Sequence, residues 1–411
     1  MVQVSDRIWV GGPHEGPRLI GVGATRLIDL GARAVGVPGV PMEHFPLEDS
    51  PGVRHALLET AARRVSMLAA RGDIVGIYGG GTDLAWAVAV ASQIHDGQTL
   101  ADVQARLPVR VREGLADGEP GDMVRQLEAA WRTDPVEHHV VGVGSLFLHA
   151  VHRPGPGASI LLLHGAYGSW THWRNNMAGL SQFLDVWALD LPGFGESDDW
   201  PGRFRHEDYR DAVGAAIRTM VPNLAVLGGY SFGAYLAAAL LRADPHLARA
   251  GVLVALTGRT GDPKSHRRVE ERHFPPHPSR QERLDVVADN LRRIHLADPQ
   301  AADAATVSLT YHNILRTRLG YTRLSEGGPR DPALAVLAQV DVPLLLVWGA
   351  HDPFCQPTVA AWAEACQAAN PSAECVVLNE AAHWCQYEQP AGFDAAVRTF
   401  HRERMPDVPV R

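Results

Sequence analysis

Cysteine is scarce in this chain: four occur among 411 residues, all between Cys355 and Cys385. Late clustering in a long chain is not typical of a disulfide framework, so we expect a reducing, cytoplasmic location. The segment Met1–Asp6 lacks a basic start followed by an apolar run, so we expect no signal peptide. No apolar run approaches the roughly 18 residues that a membrane helix needs, and no membrane partner is expected.

Basic residues form no long run either, and the formal net charge is −8. Clustered positive charge usually marks proteins that bind nucleic acid, so no nucleic-acid partner is expected. Histidine is plentiful, with 20 residues, but the pairs His351/Cys355 and His383/Cys385 repeat no familiar zinc spacing. We therefore predict no metal, no cofactor and a small-molecule substrate, and the sequence leaves the oligomeric state open.

The length of the chain and a change in composition predict two domains. Residues 114–137 are polar, with a Gly-Glu-Pro-Gly stretch at 118–121 and Asp134-Pro135 near the end. We assign residues 1–134 to a first domain and 135–411 to a second. In the second domain, apolar strands alternate with helical segments, which predicts an α/β fold with a parallel sheet covered on both faces.

The stretch from Leu224 to Leu241 organises the second domain. An apolar run predicts a buried strand, Gly-Tyr-Ser-Phe-Gly follows at 229–233, and an Ala/Leu-rich segment predicts a helix. In this context Gly-x-Ser-x-Gly indicates a nucleophile elbow, a strained turn whose glycines avoid collisions with neighbouring chain. Ser231 is the candidate nucleophile; the alternative is a turn of small residues with a chance serine.

A serine hydroxyl needs a base to take its proton and a carboxylate to orient that base. Asp352 follows the predicted strand 343–348, and His383 follows the predicted strand 374–378. Active groups in parallel sheets lie at the carboxyl ends of strands, so we predict a triad of Ser231, Asp352 and His383. The alternatives are a turn aspartate and a histidine at a helix start.

Acyl chemistry also needs donors for the developing oxyanion. The backbone N–H of Phe232, at the predicted helix start, is one candidate. The other is the N–H of Ala166, in the loop after the predicted strand 159–163. His164 is expected to brace this loop, the alternative being a second candidate base.

More than 80 residues separate the predicted strands 251–256 and 343–348, which predicts a mostly helical cap over residues 257–335. Ser279 and Glu282 form a capping-box pattern that opens one helix, and a second is predicted over 301–319.

Four further residues are candidates for substrate binding. Arg316 and Arg318 are predicted to anchor a substrate carboxylate, with a solvated helix face as the alternative. Tyr167 and Trp384 are predicted to line an apolar acyl site, with core packing as the alternative.

Residues 138–405 resemble the α/β-hydrolase superfamily in five places: His164-Gly165, Asp190–Ser197, the elbow, Gly349–Asp352 and His383. The resemblance implies an α/β-hydrolase fold with a helical cap and a serine hydrolase that forms an acyl-enzyme, acting on a carboxylic ester of a small organic substrate. Ser231 argues against the aspartate-nucleophile branches, the haloalkane dehalogenases and typical epoxide hydrolases.

The segment from His383 to Glu388 is also similar to that of meta-cleavage-product hydrolases, which split carbon–carbon bonds of dienone acids. Tyr230 departs from the asparagine that such enzymes would have there, so carbon–carbon cleavage is kept as the alternative to ester hydrolysis.

The order and spacing of residues 1–130 resemble a small dual-specificity or tyrosine phosphatase, with its signature His-Cys-x-x-Gly-x-x-Arg between a strand and a helix. Gly81 matches the signature, but Tyr78 stands in place of the cysteine and Leu84 in place of the arginine. Asp49 resembles the general acid. Without a thiolate and an arginine, the resemblance implies an α/β phosphatase-like fold without phosphatase activity.

Two roles remain open for such a pseudophosphatase domain: a structural or oligomerisation module, or a phosphate-responsive module that binds an anion on the amides of residues 79–82 and is coupled to the hydrolase. A catalytically silent scaffold is a further alternative for the whole chain.

Overall fold

The computed structural model describes residues 1–11, 15–30, 40, 42–44, 51–78, 82–95, 98, 103, 124, 136–260, 269–276, 278–320 and 332–405. The chain divides into two compact units, Met1–Pro135 and Val136–Arg411, here called unit 1 and unit 2. The predictions for Asp49, for the glycine loop 79–81 and for the side chain of Leu84 lie outside the described residues.

Unit 1 contains a sheet in the order β1-β2-β5-β3-β4, in which β1 and β2 are antiparallel and the other pairs are parallel. Every residue from Ala85 to Ala91 is buried, because this small-residue helix packs against both a second helix and the sheet. Among the described residues of unit 1, the elements are β1 (Val2–Ser5), β2 (Ile8–Val10), α1 (Gly16–Gly21), β3 (Arg26–Asp29), β4 (Met42–His44), α2 (Pro51–Ala70), β5 (Val75–Tyr78) and α3 (Thr82–His95).

Unit 2 contains a mostly parallel sheet of eight described strands, in the order β15-β13-β11-β10-β8-β9-β7-β6. Only the pairs of β7 with β9 and with β6 are antiparallel, so the predicted α/β class with a parallel sheet is confirmed. Its strands, together with the separate pair β12 and β14, are β6 (Glu137–Val143), β7 (Leu146–Arg153), β8 (Ser159–Leu163), β9 (Asp185–Leu189), β10 (Val226–Tyr230), β11 (Ala250–Val254), β12 (Gly258–Arg259), β13 (Leu344–Gly349), β14 (Cys355–Gln356) and β15 (Glu374–Leu378).

The central strands of this sheet are buried along their whole length, as expected where helices cover both faces. The α-helices in the described part of unit 2 are α4 (Arg174–Leu180), α5 (His206–Met220), α6 (Phe232–Ala243), α7 (Arg280–Asn290), α8 (Ala304–Leu315), α9 (Ala333–Leu337), α10 (Val359–Ala369), α11 (Cys385–Glu388) and α12 (Pro390–Arg404). Among the described residues, no helix is both long and apolar enough to cross a bilayer.

The region predicted as a cap, 257–335, contains the helices α7 and α8, but among its described residues it also contains the strand β12 and the non-helical stretch 269–276. The predicted capping box of Ser279 and Glu282 opens α7, which continues into a π-helical turn, Leu291–His295. The second predicted helix is shorter than the 301–319 expected. It starts only after Asp303, whose side chain accepts the N–H of Thr306 at 2.7 Å, and it ends at Leu315.

Candidate active site

The turn between β10 and α6 holds Ser231 in a conformation that L-residues rarely adopt, with φ 52° and ψ −110°. A Cβ atom at Gly229 would overlap the carbonyl group of Gly233, and one at Gly233 would overlap the carbonyl oxygen of Leu163. Both positions therefore require glycine. The serine side chain is consequently held at the carboxyl end of β10, directly before the helix.

The structure brings the three predicted triad residues together. The Nε2 atom of His383 lies 3.0 Å from Oγ of Ser231, and its Nδ1 atom lies 2.8 Å from Oδ2 of Asp352. With the ring proton on Nδ1, His383 donates to the carboxylate and its Nε2 accepts the serine hydroxyl proton. His383 and Asp352 are both 3% exposed, so water competes little for these hydrogen bonds.

Backbone contacts hold the loops that carry the acid and the histidine. The Phe354 N–H donates to Oδ1 of Asp352 at 2.9 Å, which leaves Oδ2 to the imidazole. The N–H of His351 donates to the carbonyl of Ala381 at 3.0 Å and so joins the loop after β13 to the loop after β15. Because both loops are fixed, the imidazole meets the carboxylate without further rearrangement.

The two predicted oxyanion donors lie on segments that adjoin Ser231. Phe232 is the first residue of α6, where N–H groups have no partner within the helix. Ala166 belongs to the loop after β8, which approaches the serine so closely that a Cβ atom at Gly165 would lie 3.3 Å from the Cβ of Ser231. The loop is braced by His164, whose Nε2 accepts the Leu191 N–H at 3.0 Å.

Two buried histidines near the triad were not predicted from the sequence. Nδ1 of His172 accepts the Gly165 N–H at 3.3 Å, and the ring of His295 lies 5.7 Å from that of His383. Burial, and then neighbouring imidazoles, lowers the pKa of His172 well below its usual value; burial and the nearby His383 lower the pKa of His295 to about 3. Both rings are therefore neutral. The spacing of these residues along the chain carries no signal of their position.

Trp384 lies inside the unit and joins the cap to the histidine loop. Its main-chain N–H donates to the carbonyl of His295 at 2.8 Å, and its indole N–H donates to the carbonyl of His172 at 3.2 Å. The ring is 3% exposed and stacks on Tyr387 at 4.1 Å. These contacts favour core packing over substrate lining. Tyr167, in contrast, is 37% exposed in the oxyanion loop and stays a candidate for substrate contact.

The structure does not support the prediction that Arg316 and Arg318 anchor a substrate carboxylate. Arg316 is buried, and its Nε donates to the carbonyl of Gly195 at 3.0 Å. The guanidinium of Arg318 donates to the carbonyls of Gly195 and Ser197, and its main-chain N–H donates to Gly193 at 2.8 Å. The pair thus fastens the end of α8 to the loop after β9.

That loop is itself organised by Asp190, which is fully buried. Its carboxylate accepts the N–H groups of Trp170 at 2.6 Å and Glu196 at 2.9 Å and contacts Nδ1 of His149 at 2.8 Å. Burial opposes ionisation, but the charge and hydrogen bond of His149 outweigh it and lower the pKa of Asp190 to about 2. The carboxylate is therefore charged and fixes the loop against the sheet.

Comparison with known proteins agrees with this fold. A 2-hydroxy-6-oxononadienedioate/2-hydroxy-6-oxononatrienedioate hydrolase of Pseudomonas putida is 25% identical over 267 residues, which cover 60% of this chain and 88% of the relative. A solved serine hydrolase involved in carbazole degradation has a TM-score of 0.54 at 20% identity, covering 66% of this chain and all of that one. The enol-lactonase from Burkholderia xenovorans has a TM-score of 0.52 at 20% identity, covering 64% and 99%.

The two solved structures show similarity of fold alone at these identities. The family model described as "Alpha/beta hydrolase family" matches residues 160–396, more than half of the chain and wholly within unit 2. On this match, the chain belongs to the alpha/beta hydrolase family.

Proposed function

We propose that the chain hydrolyses carboxylic esters of small organic substrates through an acyl-enzyme on Ser231. The observation that carries the proposal is the continuous path from Ser231 Oγ through the His383 imidazole to Asp352, with contacts of 3.0 and 2.8 Å. This arrangement supplies a nucleophile, a base and an orienting carboxylate at one point.

The reaction proceeds in two halves. His383 takes the proton of Ser231 as the oxygen attacks the ester carbonyl, and the N–H groups of Phe232 and Ala166 stabilise the oxyanion. When the tetrahedral intermediate collapses, His383 gives that proton to the departing alcohol and the acyl group stays on the serine. Water then attacks the acyl carbon while His383 takes one of its protons, and His383 passes that proton to the Ser231 oxygen as the acyl–oxygen bond breaks and the acid departs.

Carbon–carbon bond hydrolysis is the second candidate, and similarity to the Pseudomonas putida hydrolase supports it. That relative acts, by its name, on a dioate. The engagement of Arg316 and Arg318 with carbonyl groups of the loop after β9 favours a neutral ester instead, because neither guanidinium is held ready for a carboxylate.

The experiment is labelling of the full chain with a fluorophosphonate, followed by turnover of matched p-nitrophenyl esters and dienone acids. We expect labelling and ester turnover in the wild type and in Ser372→Ala, an exposed serine outside the triad, and neither in Ser231→Ala. Labelling that persists in Ser231→Ala contradicts the nucleophile assignment. Turnover of dienone acids without turnover of esters would select the second candidate.

For unit 1, we propose a phosphatase-like module without catalytic activity. Tyr78, at the position of the phosphatase cysteine, is 2% exposed, and its hydroxyl donates to Sδ of Met42 at 3.0 Å. Burial and then the nearby Asp29 raise its pKa to about 12. A neutral, internally bonded phenol is a poor substitute for a low-pKa thiolate.

A further inference from the structure

Glu137, His139 and His152 form a cluster that shares no residue with the candidate active site. One ligand atom from each lies within 4.8 Å of the others. Oε2 of Glu137 is 3.3 Å from Nε2 of His139 and 3.1 Å from Nδ1 of His152. Two imidazole nitrogens and a carboxylate oxygen are thus gathered around one point at the surface of unit 2.

The register of the sheet explains why these side chains meet. Glu137 and His139 are two residues apart on β6 and so lie on the same face of the strand. In the antiparallel ladder of β6 and β7, His152 lies directly opposite Glu137. His138, between them on β6, belongs to the other face, where its Nδ1 lies 2.8 Å from Nε2 of His149.

The distances suit a tetrahedral zinc site. Bonds of about 2.0–2.2 Å from zinc to nitrogen or oxygen place neighbouring ligand atoms about 3.4 Å apart. The two contacts to Glu137, 3.1 and 3.3 Å, are close to that separation. Nε2 of His139 has almost no contact with solvent, and Oε2 of Glu137 lies 3.3 Å from it, so a metal ion bound to that oxygen would also be within reach of this nitrogen.

The surroundings of His152 match those of a metal-bound histidine. Its Nε2 lies 2.7 Å from Oδ1 of Asp185, the arrangement in which a ligating imidazole donates its other N–H to a carboxylate. Oδ2 of Asp185 accepts the indole N–H of Trp187 at 3.0 Å, and the Trp187 ring stacks on His152 at 4.0 Å. With Nε2–H donating to Asp185, Nδ1 of His152 presents its lone pair towards Glu137.

We propose that Glu137, His139 and His152 bind one divalent first-row transition-metal ion, with Zn²⁺ best suited to the two imidazoles and one carboxylate. Solvent completes the coordination. Because β6 is the edge strand and β7 its neighbour, the ion fastens the sheet edge and stabilises unit 2 without entering the triad chemistry.

The test is calorimetric titration of the full chain, stripped with a chelator and freed of it, with ZnCl₂. We expect one equivalent of Zn²⁺ and, with Co²⁺ instead, the visible absorption of a four-coordinate ion. His139→Ala should weaken Zn²⁺ binding about tenfold or more and abolish the Co²⁺ bands, and Asp185→Asn should weaken it by about 10–100-fold. The control is His246→Ala, which removes an exposed histidine outside the cluster.

Absence of stoichiometric binding by the wild type overturns the proposal. Equal weakening in His139→Ala and His246→Ala also overturns it, because it means diffuse binding by surface histidines. Glu137→Gln provides a second variant at an exposed side chain should His139→Ala fold poorly. Ester turnover should be unchanged in Glu137→Gln, so failure of the metal site leaves the proposed hydrolase function untouched.

Discussion

Each unit contains a buried strand that is followed within a few residues by a helix, β5 by α3 in unit 1 and β10 by α6 in unit 2, and the side chains at the ends of these strands differ in their partners. In unit 1 the strand β5 ends at Tyr78, whose hydroxyl donates a hydrogen bond to the neutral thioether of Met42. In unit 2 the turn presents Ser231 to His383, which Asp352 orients. In unit 2 the turn fixes the backbone of Ser231, but the reactivity proposed for this serine depends on partners from the loops after β13 and β15.

The largest loss of activity is expected when the negative charge of Asp352 in unit 2 is removed, and this substitution tests the comparison directly. Asp352→Asn should lower kcat for ester hydrolysis roughly ten-thousandfold, because the amide favours the wrong histidine tautomer. Asp341→Asn, at an exposed carboxylate outside the triad, should leave kcat unchanged. Steady-state kinetics measure both, and a loss of less than tenfold in Asp352→Asn would contradict the role given to the carboxylate.

A second substitution tests whether the turn itself must be made of glycine. Gly233→Ala should destabilise the fold by about 1–3 kcal/mol and abolish labelling of Ser231, because the new methyl group overlaps main-chain oxygens of Leu163 and His164. Gly320→Ala is the matched control, since its new methyl meets nothing within 4 Å. Denaturant unfolding measures the difference; equal stability of the two variants would disprove the steric argument.

A smaller loss of activity than in Asp352→Asn or Gly233→Ala is expected at the contact between the cap and the loop after β9. Arg316→Ala removes a hydrogen bond from a charged group to the Gly195 carbonyl, which is worth about 1.5–3 kcal/mol. Turnover of neutral and acidic esters should therefore fall by the same factor, whereas Arg402→Ala, largely exposed, should change neither. Selective loss of acidic substrates in Arg316→Ala would restore the substrate-anchoring role.

The smallest effects, on phosphate release and on the free energy of unfolding, are expected from changes in unit 1. In a Ser231→Ala background, which removes ester hydrolysis, the full chain should release no phosphate from phosphotyrosine. Tyr78→Phe should change the free energy of unfolding by about 1 kcal/mol, the usual contribution of a hydrogen bond such as the one from its hydroxyl to the sulfur of Met42. Phosphate release that disappears in Tyr78→Phe would show that unit 1 is catalytic after all.

The sequence predicted the sheet of unit 2 and the grouping of Ser231, Asp352 and His383 because each follows an apolar run. In a parallel sheet the carboxyl ends of the strands lie at the same edge, so residues that follow different strands in the sequence lie close together in the fold. The capping box was likewise predictable from the sequence, since its two residues, Ser279 and Glu282, lie within one turn of helix.

Features that depend on partners distant in sequence were not predictable in this way. Arg316 and Arg318 looked like anion anchors because their carbonyl partners lie more than a hundred residues earlier. The cluster of Glu137, His139 and His152 was missed because zinc spacings describe ligands on one segment, whereas here the strand register joins two.

The conformation of Ser231 has a consequence for how this protein can be improved. A non-glycine residue at φ 52° costs about 1–3 kcal/mol, which the rest of the fold must offset in every molecule, whether or not substrate is present. Glycine would remove that cost together with the hydroxyl. A substitution at this position that raises thermal stability would therefore remove reactivity. Substitutions intended to stabilise the protein should be made at the edges of the sheet and not in this turn.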